Sequence, residues 1–290
     1  MRITLIGLTL ACVLSACAGE KPSNCCSDMP SHPPQPPAQT STPDPAVPND
    51  PALNPPGFIF RQIDVYDAGP GGKRPYALYI PPSYDPSKPC PAILFLHGSG
   101  ESGTDGHKQV AQGIGPAIVQ DPAKWPFIVI FPQKPDSRSQ WLDHQKTVMD
   151  ILRKTQSEYN IDPDRIYLTG LSQGGAGTWA LGSLYPGTFA ALVPICGYFR
   201  DMGDTMMPQS IAVRVFRDPI WAFHGIKDDV VPYDQTTQVV QAIQERQAGM
   251  RDLVPIKLTL LPDANHNSWD AAYRNYDLGN WFLQYRRRAD

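Results

Sequence analysis

From residue 58 onward the chain alternates short apolar runs with stretches in which apolar residues recur at helical spacing. Phe58–Tyr66 and Tyr76–Ile80 read as two opening strands joined through a Gly69-Pro70-Gly71-Gly72 turn. Ala92–Leu96 and Phe127–Phe131 are continuous apolar runs, the pattern of strands covered on both faces. Leu142–Tyr159 sets Leu142, Val148, Ile151, Leu152 and Tyr159 roughly on one helical face. Arg165–Thr169 predicts a strand, and Gly174–Tyr185 a helix stopped by Pro186. Strands follow at Phe189–Ile195 and Ile220–Phe223, then a helix at Tyr233–Ala248, a strand at Ile256–Leu261 and a closing helix at Asp270–Arg286. Strands alternating with helices imply right-handed crossovers. The expected fold is α/β, a mainly parallel twisted sheet with helices on both faces.

Residues 1–56 follow neither period. Met1-Arg2 supplies a positive start, and Ile3 to Leu14 is an apolar run too short to span a bilayer. Leu14-Ser15-Ala16-Cys17 resembles a bacterial lipobox, in which the cysteine (here Cys17) is lipidated and becomes the new N-terminus; an ordinary signal peptide is the alternative. Residues 18–56 are rich in Pro, Ser, Asp and Asn and bury too little apolar surface to offset the entropy of ordering. They read as a semi-extended tether. The expected organisation is therefore a signal over 1–17, a tether over 18–56 and one catalytic domain over 57–290, exported and held to a membrane only by a lipid.

Composition narrows the partners. The 290 residues are 41% hydrophobic, enough for a sizeable core, and carry a net charge of −3. That balance leaves no footprint for nucleic acid. Without a CxxC pair, no zinc or redox site is expected. Cys90 and Cys196 could form a disulfide in an oxidising compartment or remain two buried thiols.

Gly170-Leu171-Ser172-Gln173-Gly174 matches G-x-S-x-G between a predicted strand and a predicted helix. The serine on such a turn is exposed at the sheet's end, and the helix N-terminus brings positive dipole beneath an oxyanion. Its base must come from six histidines. His32 lies in the tether; His97 and His224 each end a strand before a glycine and suit loop shaping; His107 and His144 precede the serine. His266 follows the last strand and fits the chain order nucleophile, acid, histidine. The acid should lie between them, in His224-Gly225-Ile226-Lys227-Asp228-Asp229: Asp228 first, Asp229 in reserve.

Four segments carry a family likeness: Leu96-His97-Gly98-Ser99-Gly100-Glu101-Ser102-Gly103, Phe131-Pro132-Gln133, the Ser172 turn, and His224-Gly225-x-x-Asp228-x-x-Val231-Pro232. They resemble secreted α/β-hydrolase esterases of the phospholipase/carboxylesterase and predicted-peptidase group, and feruloyl and polyhydroxybutyrate-depolymerase-type esterases, over about residues 58–290. The resemblance implies an α/β-hydrolase fold, an acyl-enzyme and no metal or other cofactor. It implies Asp228 as the acid, four residues after His224, and the Ser99 and Gln173 amides as the oxyanion hole. Trp141 is either a platform for an aromatic acyl group or sugar, or a core tryptophan; Glu101 and Gln133 are candidate site walls. The Met- and aromatic-rich segment Gly197–Ser210 could form a small lid. The expected substrate is a small-molecule or polysaccharide-linked ester of acetyl or feruloyl type. A peptidase ranks lower, since no gating domain fits in 58–290, and a binding protein lower still, since no triad member is missing.

Overall fold

A computed structural model describes residues 57–65, 72–199, 206–254 and 256–287. The signal, Cys17, the tether, Gly69 to Gly71 and residues 200–205 of the lid segment lie outside them. Eight strands form one sheet: β1 (Gly57–Asp64), β2 (Lys73–Ile80), β3 (Cys90–Leu96), β4 (Ile128–Pro132), β5 (Ile161–Leu171), β6 (Ala191–Ile195), β7 (Trp221–Gly225) and β8 (Lys257–Leu261). Their spatial order is β1-β2-β4-β3-β5-β6-β7-β8. β1 and β2 pair antiparallel, as do β2 and β4. From β4 to β8 every pairing is parallel.

The strand period of two distributes the core. Ala92, Leu94 and Leu96 of β3 face one side with Ile128 and Ile130 of β4. Ile93 and Phe95 face the other with Val129 and Phe131. The first side is covered by α2 (Gln145–Glu158), α3 (Gln173–Leu184), α4 (Pro208–Val215) and α5 (Asp234–Gln247). The second is covered by α1 (Ile114–Gln120), α6 (Trp269–Asn275) and α7 (Leu278–Leu283). Each large apolar side chain so buried contributes about 1.5–3 kcal/mol. Strands covered on both faces have no polar side, which is why they read as unbroken apolar runs.

Three expectations change. The closing helix is two: Tyr276 is extended, and Asp277 caps α7 by accepting the Asn280 amide at 3.3 Å. α1 was hidden by the Gly115-Pro116 pair inside it, residues that ordinarily punctuate helices. The described part of the lid segment belongs to the body of the fold: Phe199 and Met206 are core, and α4 begins at Pro208. Among the described residues, no helix is long and apolar enough to cross a membrane.

Candidate active site

The candidate site gathers at the C-terminal ends of the parallel strands, where open α/β sheets place their crevices. β5 runs into Ser172 and α3 starts one residue later. Ser172 sits at φ 54°, a left-handed conformation costly for a side-chain-bearing residue, and its amide donates to the Ile195 carbonyl at 2.9 Å. The flanking glycines are required by space. A Cβ on Gly170 would stand 2.4 Å from the Gly174 oxygen, and one on Gly174 would stand 1.9 Å from the Leu96 oxygen.

Ser172 Oγ lies 2.9 Å from His266 Nε2, and His266 Nδ1 lies 2.8 Å from Asp228 Oδ2. The hydroxyl can therefore donate to Nε2 while Nδ1–H donates to the carboxylate. Asp228 is buried and saturated: Oδ1 accepts the Val230 and Val231 amides at 3.0 and 2.8 Å, and Oδ2 faces both His266 and His224 Nε2, the latter at 3.1 Å. An ionised carboxylate is acceptor-only, and this set of donors offsets the cost of burying it. Asp229 is exposed. His224 Nε2–H is shared between Asp228 and the Val231 carbonyl, 2.8 Å away, while Nδ1 meets Thr236 Oγ1 at 2.8 Å. Burial pushes its pKa down, so the ring is a neutral strut holding the acid turn.

The candidate oxyanion loop follows β3. His97 is fully buried, and burial drives its pKa down to about 3. The Lys134 amide donates to His97 Nε2 at 3.2 Å, which leaves the Nδ1 proton facing the Gly98 carbonyl. That carbonyl and the Ser99 N–H share one peptide plane and point in opposite directions. Fixing one therefore aims the other. Ser99 opens a 3₁₀ turn and Gln173 opens α3, positions whose N–H groups have no intrahelical partner. The Gln173 side chain donates to the carbonyls of Ser137 and Ser139 at 3.2 and 3.0 Å, tying the neighbour of Ser172 to the loop after β4.

Gln133, a candidate wall residue, turns inward, and of the two readings of Trp141 the core one fits. Gln133 is buried, accepts the Gly106 amide at 2.7 Å and donates to the Glu101 carbonyl at 3.0 Å, so it braces the loop with both ends of its amide. Trp141 is a core tryptophan: it is buried, donates from Nε1 to the His97 carbonyl at 3.0 Å, and lies edge-on to the His97 ring at 4.8 Å. Glu101 does stand beside Ser172. Its Oε2 and Ser172 Cβ lie 3.1 and 3.6 Å from the point a Cβ on Gly98 would occupy. Burial raises its pKa.

Lys134, Tyr198 and Trp269 complete the surroundings, and no spacing announced them. Lys134 is buried with its ammonium on Ser102 Oγ at 2.8 Å and on the Asp136 carbonyl; desolvation lowers its pKa to about 8. Tyr198 donates to Gln140 Oε1 at 2.9 Å. Trp269 stands perpendicular to His266 at 5.4 Å between ring centres. A charged residue just past a strand gives no sign in sequence of being buried.

Cys90 and Cys196 are free and buried, so the disulfide alternative does not hold. Ligand atoms of Cys196, Asp228 and His266 lie within 4.8 Å of one another. The set fits a metal poorly: both His266 nitrogens and the Asp228 oxygens are already hydrogen-bonded, and burial pushes the Cys196 thiol up to about 12, disfavouring the thiolate a metal needs.

A serine on a strand–turn–helix elbow, a histidine and an acid following it in chain order, on a mostly parallel sheet covered on both faces, define an α/β-hydrolase. The chain belongs to the esterase family, whose profile, described as "Putative esterase", matches residues 68–250. It is 30% identical over 180 residues, 60% of its length, to the bifunctional acetylxylan esterase/xylanase XynS20E of Neocallimastix patriciarum, of which it spans about a quarter (24%). A solved thermostable esterase superposes with a TM-score of 0.67 at 31% identity, covering 79% of this chain and 63% of that one. The feruloyl esterase module from Clostridium thermocellum complexed with sinapinate shares the fold at 17% identity and a TM-score of 0.59, over 79% of this chain and 88% of that one.

Proposed function

We propose that this protein is a serine carboxylic-ester hydrolase acting on acetyl- or feruloyl-type esters carried by small molecules or polysaccharides. The observation that carries this reading is the hydrogen-bond chain from Ser172 through His266 to Asp228. Ser172 Oγ attacks the ester carbonyl as its proton passes to His266 Nε2, and Asp228 stabilises the imidazolium that forms. The Ser99 and Gln173 amides receive the charge that develops on the carbonyl oxygen. Collapse of the tetrahedral intermediate expels the alcohol, protonated by His266, and leaves Ser172 acylated. A water deprotonated by the same nitrogen then releases the acid and restores the hydroxyl. The substrate class draws support from the names of the acetylxylan esterase relative and the feruloyl esterase neighbour.

The test is Ser172→Ala assayed on p-nitrophenyl acetate, methyl ferulate and acetylated xylan. Hydrolysis by the unaltered protein and a loss of several orders of magnitude in the variant are expected, since removing a triad member leaves only binding and oxyanion effects. A variant keeping more than roughly a tenth of kcat overturns the assignment of the nucleophile. Export with lipidation at Cys17 belongs to the same proposal. Cys17→Ser should leave the protein unanchored or unprocessed in a bacterial host; the unchanged sequence fractionating as a lipid-free soluble protein counts against it.

A further inference from the structure

At the end of the sheet opposite Ser172 lies a concavity. A cavity of about 370 Å³ opens among the residues that lead into β6 and β7 and those of the C-terminal segment after α7. Ser172, Asp228 and His266 lie past the other ends of β5, β7 and β8, so the two places do not overlap. Arg214, Arg217, Arg286 and Arg287 line it, against Asp218 as the one acidic lining residue. This gathering is local, because the whole chain carries a net charge of −3.

Two of the four arginines are held in place. Arg286 Nη1 lies 3.1 Å from Asp162 Oδ2, and Arg287 Nη2 lies 3.1 Å from Asp164 Oδ1. Neither partner is among the residues that line the cavity. The other two come from the end of α4 and the turn after it, and no ion pair among the described residues engages either one. Arg217 instead lies over the Phe216 ring, its guanidinium carbon 5.1 Å from the ring centre. The cavity therefore combines a wall of paired arginines with an uncommitted cationic one. Tyr285, half-buried, also lines it, with Phe189 beneath at 4% exposure.

We propose that this cavity is a binding site for a small organic anion, a ring bearing a carboxylate or a phosphate. Guanidinium groups present planar forks of donors matched to the paired oxygens of either group, and remain charged at every working pH. Arg214 and Arg217 hold the anion, against a wall set by Arg286 and Arg287, whose donor forks Asp162 and Asp164 already occupy. The half-buried Tyr285 packs against the body of the ring. The site is separate from ester hydrolysis and does not depend on that reading.

The test is calorimetric titration of the full chain with inorganic phosphate and, separately, with D-glucuronate, at low ionic strength. Saturable 1:1 binding with Kd on the order of 1 mM is expected for one anionic group at an open site. Tighter binding of glucuronate assigns the site to acidic sugars, and tighter binding of phosphate assigns it to phosphorylated ligands. The double variant Arg214→Gln/Arg217→Gln, whose side chains are exposed, should fold and keep its ester hydrolysis while binding at least tenfold more weakly. Absence of saturable binding of both probes, or equal affinity in the double variant, overturns the proposal.

Discussion

Asp228 and Asp229 are adjacent in sequence, yet one is buried beneath two histidines and two backbone amides and the other is exposed. Asp228→Asn keeps the shape of the acid turn but puts an amide where Nδ1–H needs an acceptor, so kcat should fall by about 10⁴, as for the equivalent change in serine proteases. Asp229→Asn should change kcat by less than about threefold. Steady-state rates of both variants on one p-nitrophenyl ester at pH 8 decide the matter; a larger loss in Asp229→Asn reverses the assignment. The same buried ring that steadies Asp228 also sets a pH dependence. His97 and His224 are held neutral by burial, with folded pKa values below the ordinary 6.5. Below pH 6.5 the unfolded chain therefore binds more protons than the folded one, and stability falls as pH falls, for His97 down to about pH 3. The slope approaches about 1.4 kcal/mol per pH unit for each histidine titrating alone. Urea midpoints measured from pH 7 to pH 4 should decline, and less steeply in His97→Asn. At this scale the sequence was uneven. Chain order and the Gly-x-Ser-x-Gly turn sufficed to bring Ser172, Asp228 and His266 together, because each is tied to a strand end. They could not tell that Trp141 and Gln133 turn inward, since burial depends on which neighbours arrive from elsewhere in the fold.

The elements explain why the turn tolerates so little variation. α3 enters so close to the end of β3 that Gly174 has backbone, not side chain, where a Cβ would go: the Leu96 oxygen at 1.9 Å and the His97 oxygen at 2.7 Å. Backbone cannot rotate aside as a side chain can. Gly174→Ala should therefore cost more than the about 1–3 kcal/mol of ordinary overpacking, read as a drop in the urea midpoint or as insoluble protein. Gly100→Ala is the matched control, with nothing within 4 Å of its Cβ, and its midpoint should stay near that of the unaltered protein. The strand runs were legible in sequence because burial on both faces leaves an unbroken apolar stretch, as in β3 and β4. Helices suffered where local chemistry and tertiary packing disagreed. Ile114-Gly115-Pro116 reads as loop, yet α1 forms because Ile114, Ala117 and Ile118 are needed over the sheet. Asp277 broke what apolar spacing joined, by offering a cap in mid-run.

Across the whole molecule, the sheet separates two kinds of surface. One end carries the elbow and its loops; the other carries the arginine-lined cavity. Between them lie two apolar layers in which Cys90 and Cys196 are buried, 9% and 0% exposed, and unpaired. The folded domain thus owes none of its cohesion to a Cys90–Cys196 crosslink, and reducing and oxidising surroundings should leave this part of it equally stable. Cys196 in particular lies at φ 40° at the end of β6, against the elbow that presents Ser172. No alkylating reagent can reach its sulfur while β6 and α3 remain packed. Its labelling rate is then a clock for opening of the sheet's centre, and the Ser172 elbow cannot be lost by local fraying without that clock recording it.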